Sequence, residues 1–153
     1  MRKSFIAVLV LGAVLMGFAA PASAGDNFVA APLTGAEENP AIDTDAAGVA
    51  TFKVRDEGLV FKVNVANIDD VVAAHIHCGA VGVNGPVGVT LFSGDPVTVN
   101  GTLVRGVVTA PDEANDCGWA DLDAVVAALE SGDTYANVHT AANPGGEIRG
   151  QIK

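Results

Sequence analysis

The sequence predicts an all-β protein, an antiparallel β-sandwich of about eight strands in a Greek-key-like arrangement, with one short helix inserted near residues 121–131. Two patterns carry this prediction. Short segments of alternating apolar and polar residues recur along the chain, and clusters of Gly, Pro, Asn and Asp separate them about every ten residues. A single segment has instead the spacing of an amphipathic helix.

The first strands include the clearest hairpin in the chain. Residues 29–33 form a weak first strand. Residues 47–54 and 59–65 each alternate between apolar and polar side chains, and Asp56-Glu57-Gly58 lies between them as a turn. Two alternating runs joined by a short Gly-containing turn indicate a β-hairpin.

The remaining strands follow after Asn67-Ile68-Asp69-Asp70. Their predicted positions are residues 71–77, 86–92, 101–109, 134–139 and 147–152. The uncharged stretch from Val71 to Gly94 contains His, Asn, Pro and several Gly residues, which a lipid-facing helix avoids. We interpret it as two buried strands joined by a loop, so no membrane span is expected in the mature chain.

The predicted helix has an apolar stripe on one side. Leu122, Val125, Val126 and Leu129 follow the helical i, i+3, i+4, i+7 spacing. Asp121 is placed to cap the start of this helix, and Gly132 to end it. Trp119, just before the helix, is expected to anchor it to the sheets.

The first 24 residues have the composition of a secretory signal peptide. A charged start at Arg2 and Lys3 precedes an apolar run over 5–20, and Ala22-Ser23-Ala24 supplies a small-x-small cleavage pattern. We therefore expect residues 1–24 to be removed after Ala24, leaving one domain over 25–153. The expected location is the periplasm or the outside of the cell.

The net charge of the mature chain argues against anionic partners. All 18 acidic residues but only six of the eight basic residues follow Ala24, so the mature chain would have a net charge of −12. Such a chain repels phosphate backbones and anionic membranes, which argues against nucleic acid as a partner. The acidic residues are scattered, which favours a simple role in solubility over a diffuse attraction for cations.

The two cysteines after the leader, Cys78 and Cys117, are predicted to form a disulfide, because an even cysteine count in an oxidising compartment favours pairing. The alternative is that Cys78 is a free thiolate ligand beside His77. Neighbouring residues of a strand face opposite ways, which argues against this alternative.

The three histidines form the candidate metal site. His75 and His77 are two residues apart in a predicted strand and therefore share a face, and His139 lies in another predicted strand. Three imidazoles with an open position suit copper or zinc. The other interpretation is structural, with histidines that hydrogen-bond the backbone at strand ends.

A carboxylate could complete the site. Glu147 is the first candidate, and Asp69 or Asp70 are the others. Glu147 also shares a strand face with Arg149, and we expect a charge pair within the sheet or across to another strand. The other interpretation is that the two residues contact a ligand. The mature chain has only two serines, neither in a Gly-x-Ser-x-Gly setting, and no Gly-rich phosphate loop precedes a helix. No catalytic residue is therefore predicted.

Several segments together resemble the CHRD domain, the module first described in chordin and found in bacterial secreted proteins. They are Leu33-Thr34-Gly35-Ala36-Glu37-Glu38-Asn39-Pro40, Ala73-Ala74-His75-Ile76-His77, Gly82-Val83-Asn84-Gly85-Pro86, Tyr135-Ala136-Asn137-Val138-His139-Thr140 and Gly146-Glu147-Ile148-Arg149-Gly150-Gln151-Ile152. The resemblance implies a bacterial secreted single-domain member of that family. It implies little about biochemistry, because chordin acts largely through cysteine-rich modules that are absent here.

The predicted function is that of an exported, non-enzymatic binding module whose partner is a protein or a metal ion, copper or zinc. Two alternatives remain open. The His-x-His strand is similar to the copper-binding strand of copper/zinc superoxide dismutase, so a metal-dependent redox protein is one. A purely structural or adhesive extracellular domain is the other.

Overall fold

The structure is a computed structural model that describes residues 25–153. The predicted signal peptide, residues 1–24, lies outside the described residues. Eight strands, a 3-10 helix and an α-helix follow one another along the described chain. They are β1 (Asn27–Thr34), the 3-10 helix (Gly35–Glu37), β2 (Ala47–Arg55), β3 (Gly58–Ala66), β4 (Val71–Cys78), β5 (Val87–Val97), β6 (Gly101–Val108), α1 (Leu122–Ser131), β7 (Thr134–Thr140) and β8 (Ile148–Gln151).

All eight strands belong to one antiparallel sheet in the order β5-β4-β7-β8-β1-β2-β3-β6. The sheet curls into a nearly closed barrel, with β5 and β6 at its two ends. The prediction of an antiparallel β fold with about eight strands and one helix is confirmed. The predicted hairpin is β2–β3, which pairs without a break from Ala47 with Ala66 to Arg55 with Gly58.

The inside of the barrel is apolar because the strand residues alternate. Phe52 in β2 and Val63 in β3 are buried, whereas their neighbours Lys53 and Lys62 are exposed. On the other half of the barrel, Ile76 in β4 fills the same interior. Residues between these core positions therefore point away from the core, and the functional site is built from them.

The helix α1 begins and ends at the residues predicted for it. Asp121 Oδ1 accepts a hydrogen bond from the Ala124 amide at 2.9 Å, and Gly132 ends the helix in the left-handed region at φ +77°. The buried side of the helix is Val125, Val126 and Leu129. None of the helices in the described part of the chain is long and apolar enough to cross a bilayer.

Trp119 is buried against β5. A Cβ atom added at Gly88 would collide with the Trp119 ring, so the glycine leaves the space that the indole occupies. The segment before α1 is also tied to β5 through Asp112, whose carboxylate accepts hydrogen bonds from the Thr90 amide and hydroxyl at 3.0 and 2.7 Å. These contacts cover part of the edge of the sheet at β5.

Candidate metal centre

The three histidines converge on the outer side of the barrel. His75 and His77 alternate with the buried residues of β4, and the register of β4 with β7 places Ala73 opposite His139. The ring centroids of His75 and His139 are 4.8 Å apart, those of His75 and His77 are 5.5 Å apart, and those of His77 and His139 are 5.8 Å apart. Three rings from two neighbouring strands thus face one point.

The nitrogen atoms are close enough to bind one ion. One ligand atom from each of His75, His77 and His139 can be chosen so that all lie within 4.8 Å of one another. His75 Nδ1 and His139 Nε2 are 3.0 Å apart. Two nitrogens that bind the same tetrahedral zinc ion at about 2.0–2.1 Å would be about 3.3 Å apart, so this pair needs little adjustment.

Hydrogen bonds fix two of the imidazole tautomers. His77 Nδ1 lies 2.9 Å from the Gly85 carbonyl and His139 Nδ1 lies 3.0 Å from the Pro144 carbonyl. A carbonyl only accepts, so both Nδ1 atoms carry the proton and both Nε2 atoms carry a lone pair, as assigned from these contacts. Carbonyl-oriented imidazoles are typical of metal-binding histidines.

His77 Nε2 is the most unusual atom of the cluster. It is buried and has no hydrogen-bond partner among the residues that the structure describes. A buried nitrogen lone pair without a partner costs free energy, and native proteins rarely keep one without a use. His77 is also one of the three histidines whose ligand atoms lie within 4.8 Å of one another.

Burial keeps the rings neutral. It lowers the pKa of His75 to about 4, with smaller contributions from His139 and His77, while Asp112 acts in the opposite direction. Burial also lowers the pKa of His77 to about 4, with smaller contributions from His139 and Arg149, against the opposing backbone contacts with Gly85 and Pro86. The pKa of His139 is lowered by the same cause. Neutral imidazoles are the form that binds metal ions, so at pH 7 no proton must leave first.

A stack of three side chains supports His77. The Tyr135 ring lies parallel to the His77 ring, with centroids 4.7 Å apart and planes inclined by 7°. The Arg149 guanidinium carbon lies 3.4 Å from the Tyr135 ring centroid on a side chain that is only 2% exposed. Its charge is therefore buried in a cation–π contact. The order His77–Tyr135–Arg149 leads from the metal cluster into the neighbouring strand β8.

The loop between β4 and β5 is held over this stack. Gly85 donates its amide to the Tyr135 hydroxyl at 3.0 Å, and its carbonyl accepts from both Tyr135 and His77. Arg149 donates to the Val83 carbonyl at 2.8 Å and to Asn84 Oδ1 at 3.0 Å. Arg149 is therefore connected to His77 by two sets of contacts. One passes through the Tyr135 ring, and the other passes through this loop.

Two further ties hold the same loop. Asn84 donates to the Asn39 carbonyl, and Asn39 donates to the Gly82 carbonyl at 2.8 Å. Cys78 and Cys117 form a disulfide that links the start of the loop to the segment before α1. The disulfide rules out the alternative interpretation, in which Cys78 is a free thiolate that binds a metal beside His77.

Glu147 is not brought to the histidine cluster. Its two carboxylate oxygens accept hydrogen bonds from Thr44 at 2.8 Å, Thr140 at 2.7 Å and Asn143 at 3.1 Å. Burial alone would raise the pKa of Glu147, but these three hydrogen bonds hold it below its usual value. Asp69 and Asp70 do not belong to the cluster either. The expected charge pair between Glu147 and Arg149 was wrong, because Arg149 turns to Tyr135 and the loop.

Several residues of the site were not singled out from the sequence. Tyr135 and Gly85 lie in the segments that resembled the CHRD domain, yet no spacing rule indicates that they meet, and Arg149 was singled out only as a partner of Glu147. Asn137 is another such residue, since it donates to the Glu38 carboxylate and to the Ile148 carbonyl. Burial of Glu38 raises its pKa, against the opposing effects of Asn137 and Arg149. The segments of the resemblance therefore form the surroundings of the three histidines.

Comparison with known proteins gives one match. The family model described as the CHRD domain matches residues 29–152, which includes all eight strands in part or in full and all three histidines. No curated protein and no solved structure matches the chain.

Proposed function

This chain belongs to the CHRD-domain family, and we propose that it is an exported, non-enzymatic module that binds one copper or zinc ion through His75, His77 and His139. The proposal goes beyond family membership, since the CHRD match itself names no ligand. A disulfide in the described chain is in keeping with an oxidising compartment.

One observation carries the proposal. His77 Nε2 is a buried lone pair without a partner, and it belongs to a cluster whose ligand atoms lie within 4.8 Å of one another. A purely structural role for the histidines accounts for the Nδ1 contacts of His77 and His139 with carbonyls. It gives no use to this Nε2 atom, whereas a metal ion satisfies it directly.

The donor chemistry fits copper or zinc. All three donors are neutral imidazoles, which suit both metals and are poor ligands for magnesium or calcium. His75 is the partly exposed member of the trio, while His77 and His139 are buried. The fourth coordination position would thus open towards solvent on the His75 side. A bound ion there would supply Lewis-acid chemistry or, for copper, electron transfer.

Binding would rearrange one proton. Because His139 Nε2 accepts in the metal-free site, His75 Nδ1 carries the proton of their 3.0 Å contact. For His75 Nδ1 to bind the metal, the His75 proton would move from Nδ1 to Nε2. His77 and His139 would keep their Nδ1 protons on the Gly85 and Pro144 carbonyls. The site therefore needs a tautomer change of one ring and no change of its net protonation.

The test is metal analysis of the purified protein. It would be loaded separately with copper(II) and zinc, desalted, and analysed by elemental mass spectrometry. The expected result is one equivalent of at least one of these metals per chain, and loss of that metal in the His75→Ala/His77→Ala variant. Glu147→Gln is the matched control and should bind as the unchanged protein does, because its carboxylate is used elsewhere.

Absence of bound metal after both loadings would overturn the proposal and leave a structural or adhesive domain. Equal metal content in the double variant would also contradict it. If the protein binds copper, a superoxide-consumption assay separates a binding module from a redox protein. We expect no activity above that of the double variant, since the acidic chain repels an anionic substrate.

A further inference from the structure

Most of the basic residues in the described part of the chain lie together on one outer face of the barrel or at its margin. Lys53, Lys62 and Arg105 project from β2, β3 and β6, and all three are exposed. Lys62 lies directly opposite Arg105 on one side and opposite Thr51 on the other. The row continues from Thr51 to Val29 in β1. We call the outer side of β1, β2, β3 and β6 the basic face.

A fourth cation extends this row. Lys153 and Val29 exchange two backbone hydrogen bonds, of 2.8 and 3.0 Å, and directly paired residues point to the same side of a sheet. Lys153 therefore continues the row that contains Val29, Lys62 and Arg105. Four of the six basic residues in the described chain thus lie on the basic face or at its margin.

The four strands of the basic face carry no negative charge, although Glu37 lines a depression with Val29 and Lys153 at its margin. The sequences of β1, β2, β3 and β6 contain no Asp or Glu at all. The 18 acidic residues of the chain are placed elsewhere, mostly in loops and in α1. The charges of this acidic protein are therefore segregated, with cations on β2, β3 and β6 and at Lys153 beside β1.

The arrangement costs stability in the isolated domain. Like charges directly opposite each other on neighbouring strands are destabilising, and Lys62 and Arg105 are such a pair. Lys53 is paired with Val60, which lies two residues from Lys62 on the same face of β3. An external group with several carboxylates would remove this repulsion, which is the charge complementarity expected of an interaction surface.

The face is also apolar between its cations. It forms a groove of about 530 Å³ whose lining includes Val60, Val107 and Thr51 besides the three cations. Val107 is 45% exposed and Val29 is 41% exposed. The aromatic residues of these strands, Phe28, Phe52 and Phe61, are buried inside the barrel. Phe61 also lines the groove but is only 7% exposed. The groove therefore offers mainly aliphatic contacts and cations, with little ring surface on which a flat ligand could stack.

We propose that the basic face binds an extended segment of a partner protein that presents both acidic and aliphatic side chains on the one side that faces the groove, at every second position of the segment. Carboxylates of the segment lie against Lys62, Arg105 and Lys53, and aliphatic side chains lie on Val60 and Val107. Nucleic acid is disfavoured because the protein as a whole is strongly acidic. This surface is separate from the histidine cluster, which is built on β4 and β7, so the inference does not depend on metal binding.

The test uses a synthetic peptide that repeats Glu-Ser-Val-Ser as the probe, so that Glu and Val fall on one side of the extended segment and Ser on the other. Binding would be followed by backbone amide chemical shifts and by calorimetry, at low and at physiological salt. Shifts are expected in β2, β3 and β6, with affinity that weakens as salt increases. Lys62→Gln/Arg105→Gln should weaken binding about tenfold or more, because two charge contacts are lost.

Two controls keep the result specific. Lys62→Arg/Arg105→Lys keeps both charges and should bind as the unchanged protein does. A peptide of the same length that repeats Gln-Ser-Val-Ser should bind much more weakly. Val107→Ser should also weaken binding, because it removes one of the aliphatic contacts, and unchanged affinity would contradict that part of the proposal. All of these positions are exposed, so the variants are expected to fold, which thermal unfolding would check.

Three outcomes would overturn the inference. The first is equal binding by the Lys62→Gln/Arg105→Gln variant. The second is binding of a sulfated polysaccharide at this face without binding of the peptide, which would point to a different class of partner. The third is self-association that buries the same face, detected by light scattering and abolished by the Gln variant.

Discussion

His75 Nδ1 lies 3.0 Å from His139 Nε2, although 64 residues separate the two histidines in sequence. Two lone pairs would repel each other at this distance, so the contact must hold either a proton or a metal ion. In the metal-free protein His75 donates the proton. The same distance is close to that between two ligands of one metal ion. The contact would therefore be a hydrogen bond in the metal-free protein and a pair of metal ligands in the metal-bound protein.

The pH dependence of metal binding is the first prediction. Because burial places the pKa of His75 and of His77 at about 4, the rings stay neutral down to mildly acidic pH. We expect the metal dissociation constant to change little between pH 8 and about 5 and to rise steeply as the pH approaches 4. Calorimetry across this range would check it. Marked weakening between pH 7.5 and 6 would indicate ordinary histidines and contradict the prediction.

The same pKa values predict how the metal-free domain loses stability in acid. An unfolded histidine has a pKa near 6.5, above the folded values, so the unfolded chain binds more protons between pH about 6.5 and 4. Stability should therefore fall as the pH is lowered through this window. Denaturant unfolding of the unchanged protein and of His75→Ala/His77→Ala would be compared, and the variant should show a shallower fall. If the free energy of unfolding fell equally with pH in the two proteins, the prediction would be wrong.

Gly85→Ala should damage the metal site from a distance. A Cβ atom at Gly85 would collide with the backbone carbonyl of Cys78, which no side-chain adjustment can relieve. The shift would move the carbonyl that accepts the His77 Nδ1 proton and the amide bound to Tyr135. Losses of about 10–100-fold in metal affinity are typical when such orienting partners are removed.

Gly82→Ala is the control for this prediction. Gly82 lies in the same loop and has open space where its Cβ atom would be, but its φ of +75° is unfavourable for alanine. This variant therefore measures the effect of backbone strain in the loop without a collision. Equal affinity in Gly85→Ala would argue against the orienting role.

Tyr135 and Arg149 are predicted to position His77 together. Tyr135→Phe keeps the ring stack but removes the hydroxyl contacts with Gly85, whereas Tyr135→Leu removes both. Metal affinity should fall in the order unchanged protein, Phe variant, Leu variant, with the Leu variant about 10–100-fold weaker.

A spectroscopic measurement separates positioning from general destabilisation. If copper(II) binds, its electron paramagnetic resonance spectrum should shift in the Tyr135→Leu variant even at temperatures far below its unfolding transition. Arg149→Lys keeps the charge but loses the planar fork that reaches Val83 and Asn84, and it should lie between the Phe and Leu variants. Unchanged spectra and affinities in all three variants would remove the positioning role.

Removal of the disulfide should destabilise the fold. It joins residues separated by 39 positions, and the chain-entropy relation gives about 4 kcal/mol for a loop of this length. Cys78→Ser/Cys117→Ser should lower the free energy of unfolding by about 2–4 kcal/mol in urea titrations. Metal binding at low temperature should persist in this variant, because neither cysteine is a ligand. Loss of metal from a folded double variant would contradict that assignment.

The strands and the helix could be predicted from the sequence because they depend on local patterns. Alternation places Phe52 and Lys53 on opposite faces, and Asp121 and Gly132 mark the ends of α1 through their own side chain and backbone preference. The shared face of His75 and His77 follows from the same alternation. Local patterns do not, however, say that the eight strands form one curled sheet.

The surroundings of the site depend on contacts between distant segments. Arg149 was expected to pair with Glu147 because the two share a strand face, but its side chain crosses to Tyr135 and to a loop 65 residues earlier. Glu147 in turn is held by Thr44, which lies 103 residues before it. Such partners are set by register and by loop closure, which a single sequence does not reveal.

The most direct measurement is an X-ray diffraction experiment on metal-loaded crystals, with anomalous data collected at the copper or zinc edge. We predict one strong anomalous peak about 2.0–2.1 Å from His75 Nδ1, His77 Nε2 and His139 Nε2. A peak at another place on the protein, or no peak after loading with either metal, would contradict the central claim that these three histidines form one metal site.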